Sequence, residues 1–172
     1  DHQMYSIFLL SIREFLNDDN NFIFFKIKKN LINLKKYLDN KNLELLQNIL
    51  SRKNFKLIDD HNDNHYDIIS KSDLVISSPL SSIISESICA NINTIIFDPL
   101  NKYDYQGLFH KNYEIIYAEN LKDLHSKANW WLNRDNNELK QKIKKTILKE
   151  VFGYSHFADS LEIFSNNLVK NN

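Results

Sequence analysis

The sequence contains little glycine, proline or cysteine and has no long apolar run. Its two glycines, Gly107 and Gly153, exclude the common glycine-rich phosphate loops and a glycine-flanked nucleophilic serine. Its one cysteine, Cys89, excludes an intramolecular disulfide and a cysteine-based zinc site, and it fits a reducing cytoplasm. No apolar run approaches the roughly 18 residues that a membrane-spanning helix needs.

Length and charge also limit what the chain can be. With 172 residues, of which 42% are hydrophobic, it can form one domain with a real core. Lysine plus arginine and aspartate plus glutamate each total 22, so the net charge does not favour nucleic acid as a partner. The first residues, DHQ, resemble neither an initiator methionine nor a signal peptide. We therefore expect a piece of a longer cytoplasmic protein, and a peripheral association of the full-length protein with the inner membrane face stays open.

Short apolar runs of β type alternate with helical patterns along the chain. Strands are predicted at 22–27, 55–59, 73–77, 94–98 and 113–118, and helices at 4–16, 31–38, 43–50, 66–72, 81–90, 121–132, 137–151 and 157–169. This alternation predicts a single α/β domain over 1–172, a Rossmann-like three-layer sandwich. We expect about five mostly parallel strands with helices on both faces. The dense run 22–27 predicts a strand that is covered on both faces.

Ligands of such folds bind at the carboxyl ends of the strands, so the serine-rich junction in "DLVISSPLSSIISES" is the first candidate site. The N-terminus of a helix attracts phosphate, and the hydroxyls of Ser81 and Ser82 could bind it there. Alternatively, Ser81 or Ser82 only caps the helix, with Ser82 and Ser85 or Glu86 as an imperfect capping box. Glu86 could accept hydrogen bonds from ribose. Alternatively, it could simply be an acidic residue that the helix dipole favours in the first turn.

Two further segments carry candidate residues. The loop "DDHNDNH" (59–65) includes Asp60 and His61, which could bind a base or a sugar or form a solvated turn. We expect no metal there, because adjacent ligands on one loop rarely complete a coordination sphere. Strand alternation places Lys26 and Lys28 on one face, where they could reach a phosphate or extend into solvent.

Residues 72–98, "SDLVISSPLSSIISESICANINTIIFD", resemble the nucleotide-binding C-terminal half of GT-B-fold glycosyltransferases. The likeness is to bacterial enzymes of capsule, lipooligosaccharide and teichoic-acid synthesis, including sialyltransferases and CDP-glycerol glycerophosphotransferases. The resemblance implies that Ser81 and Ser82, with Ser78, contact donor phosphates, that Glu86 lies near the donor sugar or ribose, and that Lys26 replaces the family's lysine. The proline and histidine that follow that lysine in the family are absent here. Ser77 and Ser78 also fit turn residues.

The resemblance implies a donor-binding domain for a nucleotide sugar or a CDP-linked donor, without a cofactor or metal. The acceptor-binding domain would lie in a missing N-terminal half, and we expect this domain alone to be inactive. Two alternatives stay open. One is a non-catalytic flavodoxin- or receiver-like module, and the other is half of a sugar-nucleotide epimerase. A receiver would need a lysine after its last strand, and "YEIIYAEN" has none.

Overall fold

The computed structural model describes residues 2–27, 31–58, 64–78, 81–101, 114–134 and 136–150, and it divides the chain into two compact units, 1–68 and 69–172. The first unit contains helix α1 (His2–Phe15), strand β1 (Ile23–Lys26), helices α2 (Leu31–Lys35) and α3 (Asn40–Leu50), and strand β2 (Phe55–Ile58). Helix α4 (His65–Ser70) includes the point of division. The second unit contains β3 (Leu74–Ser77), α5 (Ser82–Cys89), β4 (Asn93–Phe97), a 3₁₀ turn (Glu114–Ile116), β5 (Tyr117–Ala118), α6 (Leu121–Leu132) and α7 (Asn137–Glu150).

All strand pairs of the described chain are parallel, which confirms the predicted α/β, Rossmann-like class. β1 pairs with β2 in one unit, and β3, β4 and β5 pair in that order in the other. The strands therefore form two small sheets rather than one of five strands. The prediction of a single domain over 1–172 stays a prediction, because compact units of this size occur both as separate domains and as parts of one domain.

In the first unit, one face of the sheet packs on the helices. Buried leucine and isoleucine side chains of α1, α2 and α3 form a cluster with Phe55, and Ile23 and Phe25 of β1 pack against it. The other residues of β1, Phe24 and Lys26, are exposed. The prediction that this strand is covered on both faces was wrong. Its side chains alternate between the two faces of the sheet, and the helices cover only the face that carries Ile23 and Phe25.

In the second unit, the central strand lies in the core. All five residues of β4 are buried, and both α5 and α6 pack on it. Because the three strands are parallel, their carboxyl ends share one edge of the sheet. The junctions that follow β3, β4 and β5 therefore begin at that edge.

The element boundaries differ from the predicted ones at two places. The predicted strand 113–118 shortens to two residues, because Glu114–Ile116 form a 3₁₀ turn. Most of the predicted linker "DNKN" belongs to α3, because Asp39 caps that helix by accepting a hydrogen bond from the Asn42 amide. The predicted helix 157–169 lies outside the described residues. No helix within the described ranges is long and apolar enough to span a membrane.

Candidate functional site

The serine-rich junction connects the end of β3 to the start of α5. Ser77 is the last residue of β3 and is buried, with 9% of its surface exposed. Ser81 occupies the N-cap position of α5 with an extended backbone (φ −147°, ψ 170°). The hydroxyls of Ser77 and Ser81 share a hydrogen bond of 3.0 Å. The Ser81 side chain is therefore held by the strand and makes no cap hydrogen bond to the helix.

The first backbone amides of α5 remain available for a ligand. The Ile84 amide donates to the Ser81 carbonyl at 3.0 Å. Within the part of the chain that the structure describes, the amides of Ser82 and Ile83 have no acceptor, as expected for the first residues of an α-helix. The Ser82 side chain is exposed beside them. Two N–H groups and a hydroxyl at the positive end of a helix dipole are donors that could bind a small anion.

Two serines further along α5 bond to carbonyls of their own helix, and the predicted contact of Ser78 with a phosphate stays a prediction. Ser85 and Ser87 donate their hydroxyl hydrogens to the carbonyls of Ser82 and Ile83, at 2.8 and 2.6 Å. The alternative capping box is thus not formed, since Ser85 bonds to a carbonyl instead of accepting from an amide. Ser78 is half-buried at a bend after β3. The interpretation of Ser77 as a turn residue was wrong, because Ser77 completes the strand.

Glu86 lies one helical turn after Ser82, as predicted from the spacing, and it is half-buried. Toward the end of the helix, burial raises the pKa of the Cys89 thiol to about 11. The nearby Lys144 ammonium opposes this rise in pKa, and the Glu86 carboxylate contributes to it. The Lys144 ammonium also donates a hydrogen bond of 2.9 Å to the Cys89 carbonyl. A side chain therefore bonds to the C-terminal end of α5, whereas no N-cap side chain bonds to its N-terminal amides.

Helix α6 begins at the same edge of the sheet with its own cap. Asn120 has nearly the same N-cap backbone as Ser81 (φ −154°, ψ 170°), and its side chain accepts from the Asp123 amide at 2.9 Å. The Asp123 carboxylate in turn accepts from the Glu119 amide at 3.1 Å and from the Lys127 ammonium at 2.9 Å. Lys127 also donates to the Tyr117 carbonyl.

A cleft of about 390 Å³ opens beside this cap, and the capping residues themselves line it. Its volume falls in the range of ligand pockets. However, Asn120, Asp123 and Lys127 already bond to one another or to the backbone. The cleft is explained by the capping network, and the serine junction remains the stronger candidate for binding an anion.

The sequence analysis missed Asp98 as a candidate residue. Its carboxyl group is fully buried directly after β4, and the Tyr117 hydroxyl lies 3.5 Å from it. The Asp98 carbonyl accepts from the amide of Asn101, which adopts a positive φ of 45°. The signal in the sequence was an acidic residue directly after a mostly apolar strand. A carboxyl group that is buried there needs hydrogen-bond partners, which the fold must supply.

The other predicted donor-binding residues belong to the first unit or lie outside the described residues. Lys26 is exposed on β1 and belongs to the first unit, whereas the serines belong to the second. Asp60 and His61 lie outside the described residues, as does Lys28. Their proposed contacts with a phosphate, a base or a sugar stay predictions.

Comparison with protein families assigns the chain to one of them. A family model described as "Polysaccharide biosynthesis PFTS motif protein" matches residues 2–128, well over half of the chain. The chain belongs to this PFTS motif family. No curated protein and no solved structure matches it.

Membership gives the broad biological role, which is polysaccharide biosynthesis. This confirms the coarser part of the expectation drawn from residues 72–98. The matched range of this PFTS motif protein includes the whole serine junction and α5. A role as one half of a GT-B glycosyltransferase is a finer statement and is treated as a proposal below.

Proposed function

We propose that the chain is the donor-binding domain of a glycosyltransferase of polysaccharide biosynthesis, with the phosphate of a nucleotide-linked donor held at the start of α5. The observation that carries this proposal is the geometry of Ser81. Its hydroxyl bonds to Ser77 instead of capping the helix, and the amides of Ser82 and Ile83 have no acceptor within the described residues. A phosphate oxygen is a suitable acceptor for these amides.

The name of the family also supports the start of α5 as the binding site. We infer that its four-letter PFTS motif corresponds here to Pro79, Leu80, Ser81 and Ser82, which read PLSS. Proline and the final serine are identical, leucine replaces another apolar residue, and serine replaces another hydroxyl. The only other proline, Pro99, begins PLNK and lacks both hydroxyl residues.

The chemistry of donor transfer explains why such a site is useful. As the bond between the sugar and the nucleotide breaks, negative charge develops on the leaving phosphate. Amides and hydroxyls that are already oriented toward that phosphate stabilise the charge without reorganising. Glu86, one turn further, is proposed to accept hydrogen bonds from ribose or sugar hydroxyls. We also propose that a separate domain binds the acceptor and that this chain alone is inactive.

A nucleotide titration followed by heteronuclear NMR tests the proposal. CMP, CDP and UDP are added to the ¹⁵N-labelled 172-residue chain, and the amide signals of Ser82 and Ile83 are followed. We expect saturable shifts of these signals, with the amides at the start of α6 as the internal control. The proposal fails if no nucleotide shifts Ser82 or Ile83 at millimolar concentration, or if the control amides shift equally.

The double variant Ser81→Ala, Ser82→Ala tests the hydroxyls directly. A hydrogen bond to a charged group contributes roughly 1.5–3 kcal/mol, so loss of even one should weaken nucleotide binding by about tenfold or more. Asn120→Ala is the matched control, because it removes the N-cap side chain of α6 and should leave the affinity unchanged. Equal affinities of the serine variant and the unmodified chain would contradict the assignment.

A further inference from the structure

One face of the sheet in the first unit is exposed around Phe22 and Phe24, although Ile58 at the end of β2 is buried. Phe22 and Phe24 have 54% and 40% of their surfaces exposed, and their ring centroids lie 5.0 Å apart. Lys26 lies on the same face as Phe24, because side chains alternate along a strand. Lys56 joins them, because it pairs with Phe24 in the parallel register and is exposed. We call these four residues the aromatic–lysine face.

This face is unusual for a parallel sheet, which is normally covered on both sides. Single exposed apolar side chains are common on soluble proteins. Two phenylalanine rings in contact on a strand, flanked by two lysines, form a patch instead. Neither β1 nor β2 contains an acidic residue. The occupant of the face must therefore accept aromatic rings and tolerate or attract positive charge.

A second copy of the chain meets these requirements poorly. A twofold dimer places the same patch on both sides of the interface, so lysines of one copy would face lysines of the other. Nucleic acid would stack its bases on aromatic rings, but these two rings already contact each other. The chain also carries equal numbers of basic and acidic residues, which gives no long-range attraction to nucleic acid.

We propose that the aromatic–lysine face docks on an anionic lipid surface. Phenylalanine rings can enter the boundary between headgroups and acyl chains, and flanking lysines attract anionic headgroups. Apolar and cationic side chains on one surface match such a boundary, which is apolar beneath and negative above. This proposal does not depend on the phosphate site at α5, which belongs to the other unit.

Co-sedimentation of the 172-residue chain with vesicles tests the proposal. One set of vesicles contains phosphatidylcholine alone, and the other contains an added fraction of phosphatidylglycerol. We expect binding to the anionic vesicles that weakens as salt is raised, and little binding to the neutral ones. No binding to anionic vesicles, or equal binding to both sets, would overturn the proposal.

Two variants locate the contact. Lys26→Gln with Lys56→Gln should lower the partition coefficient about thirtyfold, since each lysine near such a surface contributes about fivefold. Phe22→Ser with Phe24→Ser should also weaken binding, and circular dichroism checks that this variant is folded. The control is Lys36→Gln with Lys41→Gln, which removes two exposed lysines from other parts of the same unit.

The alternatives have their own readouts. If the control variant loses as much binding as Lys26→Gln with Lys56→Gln, general charge rather than this face is responsible, and the proposal is wrong. It is also wrong if light scattering shows a dimer that Phe22→Ser with Phe24→Ser dissociates. Binding of a single-stranded RNA oligonucleotide that requires the same four residues would likewise replace lipid with nucleic acid as the partner.

Discussion

Helices α5 and α6 begin at the same edge of one sheet with nearly the same N-cap backbone, yet their N-cap side chains bond to different partners. At α6, Asn120 and Asp123 satisfy backbone amides, and Lys127 joins them. At α5, the Ser81 hydroxyl bonds to the strand, and the first amides of the helix remain open. In both helices, the amides of the first two residues have no acceptor within the described residues, so the difference lies in the bond that the N-cap side chain makes.

This difference separates a side chain that caps its helix from one that does not. Asparagine and aspartate are among the strongest cap residues, and α6 uses them as caps. Serine is also a good cap residue, so the sequence alone predicts a cap at Ser81 equally well. Because the Ser81 hydroxyl bonds to Ser77 and not to a helix amide, it contributes little to the stability of the helix.

The largest expected effect on stability comes from Asp123→Ala at α6. This change removes charge-assisted hydrogen bonds to the Glu119 amide and the Lys127 ammonium, and it should lower the free energy of unfolding by about 2 kcal/mol. Urea denaturation measures it. Ser85→Ala is the counterpart in α5, where only a hydroxyl-to-carbonyl bond is lost, and its effect should be much smaller. Equal losses would contradict the distinction between the two starts.

Replacing the two N-cap residues gives the next largest difference. Asn120→Ala should lower the free energy of unfolding by about 1 kcal/mol, the usual value for a lost cap. Ser81→Ala should lower it by about 0.5 kcal/mol, because it loses one neutral hydrogen bond to Ser77 and no cap. Thermal and urea unfolding of both variants provide the comparison. A larger loss for Ser81→Ala would restore the capping interpretation of that residue.

Ser82→Asp should change stability and binding in opposite directions. A carboxylate in the first turn of α5 interacts favourably with the helix dipole and should add about 0.5 kcal/mol to the free energy of unfolding. The same charge should repel a phosphate and abolish nucleotide binding. Asn137→Asp, at the first residue of α7, is the control, since it should stabilise without affecting binding. Unchanged nucleotide affinity in Ser82→Asp would exclude the open start of α5 as the phosphate site.

The smallest effect concerns Cys89 at the far end of α5, and it changes with pH only in the alkaline range. Burial raises the pKa of Cys89 from 9.0 to about 11, so the folded thiol keeps its proton over a range in which the unfolded thiol loses it. Stability from this group is thus fully present below about pH 9 and is lost as the pH rises toward 11. The difference in pH slope between the unmodified chain and Cys89→Ser measures it. Rapid reaction of the native thiol at pH 8 would contradict the burial.

Much of the fold was predictable because hydrophobic patterns are local. The helix at 121–132 has the predicted bounds, and the core strands lie within a residue or so of their predicted positions. The predicted strand 113–118 was mostly wrong, because an apolar run cannot distinguish a strand from a 3₁₀ turn. The exposed face of β1 was also missed, since the covering helices come from distant parts of the chain.

For the candidate site, the residue types could be predicted but their roles could not. Ser81 and Ser82 were singled out because hydroxyls followed a buried strand, and the structure places them at the start of α5. The bond from Ser77 to Ser81 depends on the angle at which the chain leaves β3, which no local pattern specifies. Asp98 was missed because its burial depends on the neighbouring strand and on Tyr117, both contributed from further along the sequence.

The sequence by itself determined the α/β alternation, the serine-rich junction and the match to a family of polysaccharide biosynthesis. These properties follow from the order and type of residues, which patterns of period two and 3.6 reveal directly. Only the tertiary structure decided that the N-cap side chain bonds to the helix at α6 and to the strand at α5, and that Phe24 and Lys26 of β1 stay exposed. Both outcomes depend on which hydrogen-bond partners and side chains the folded chain brings together. Spacing along the sequence does not determine the distances between residues that are far apart in the chain.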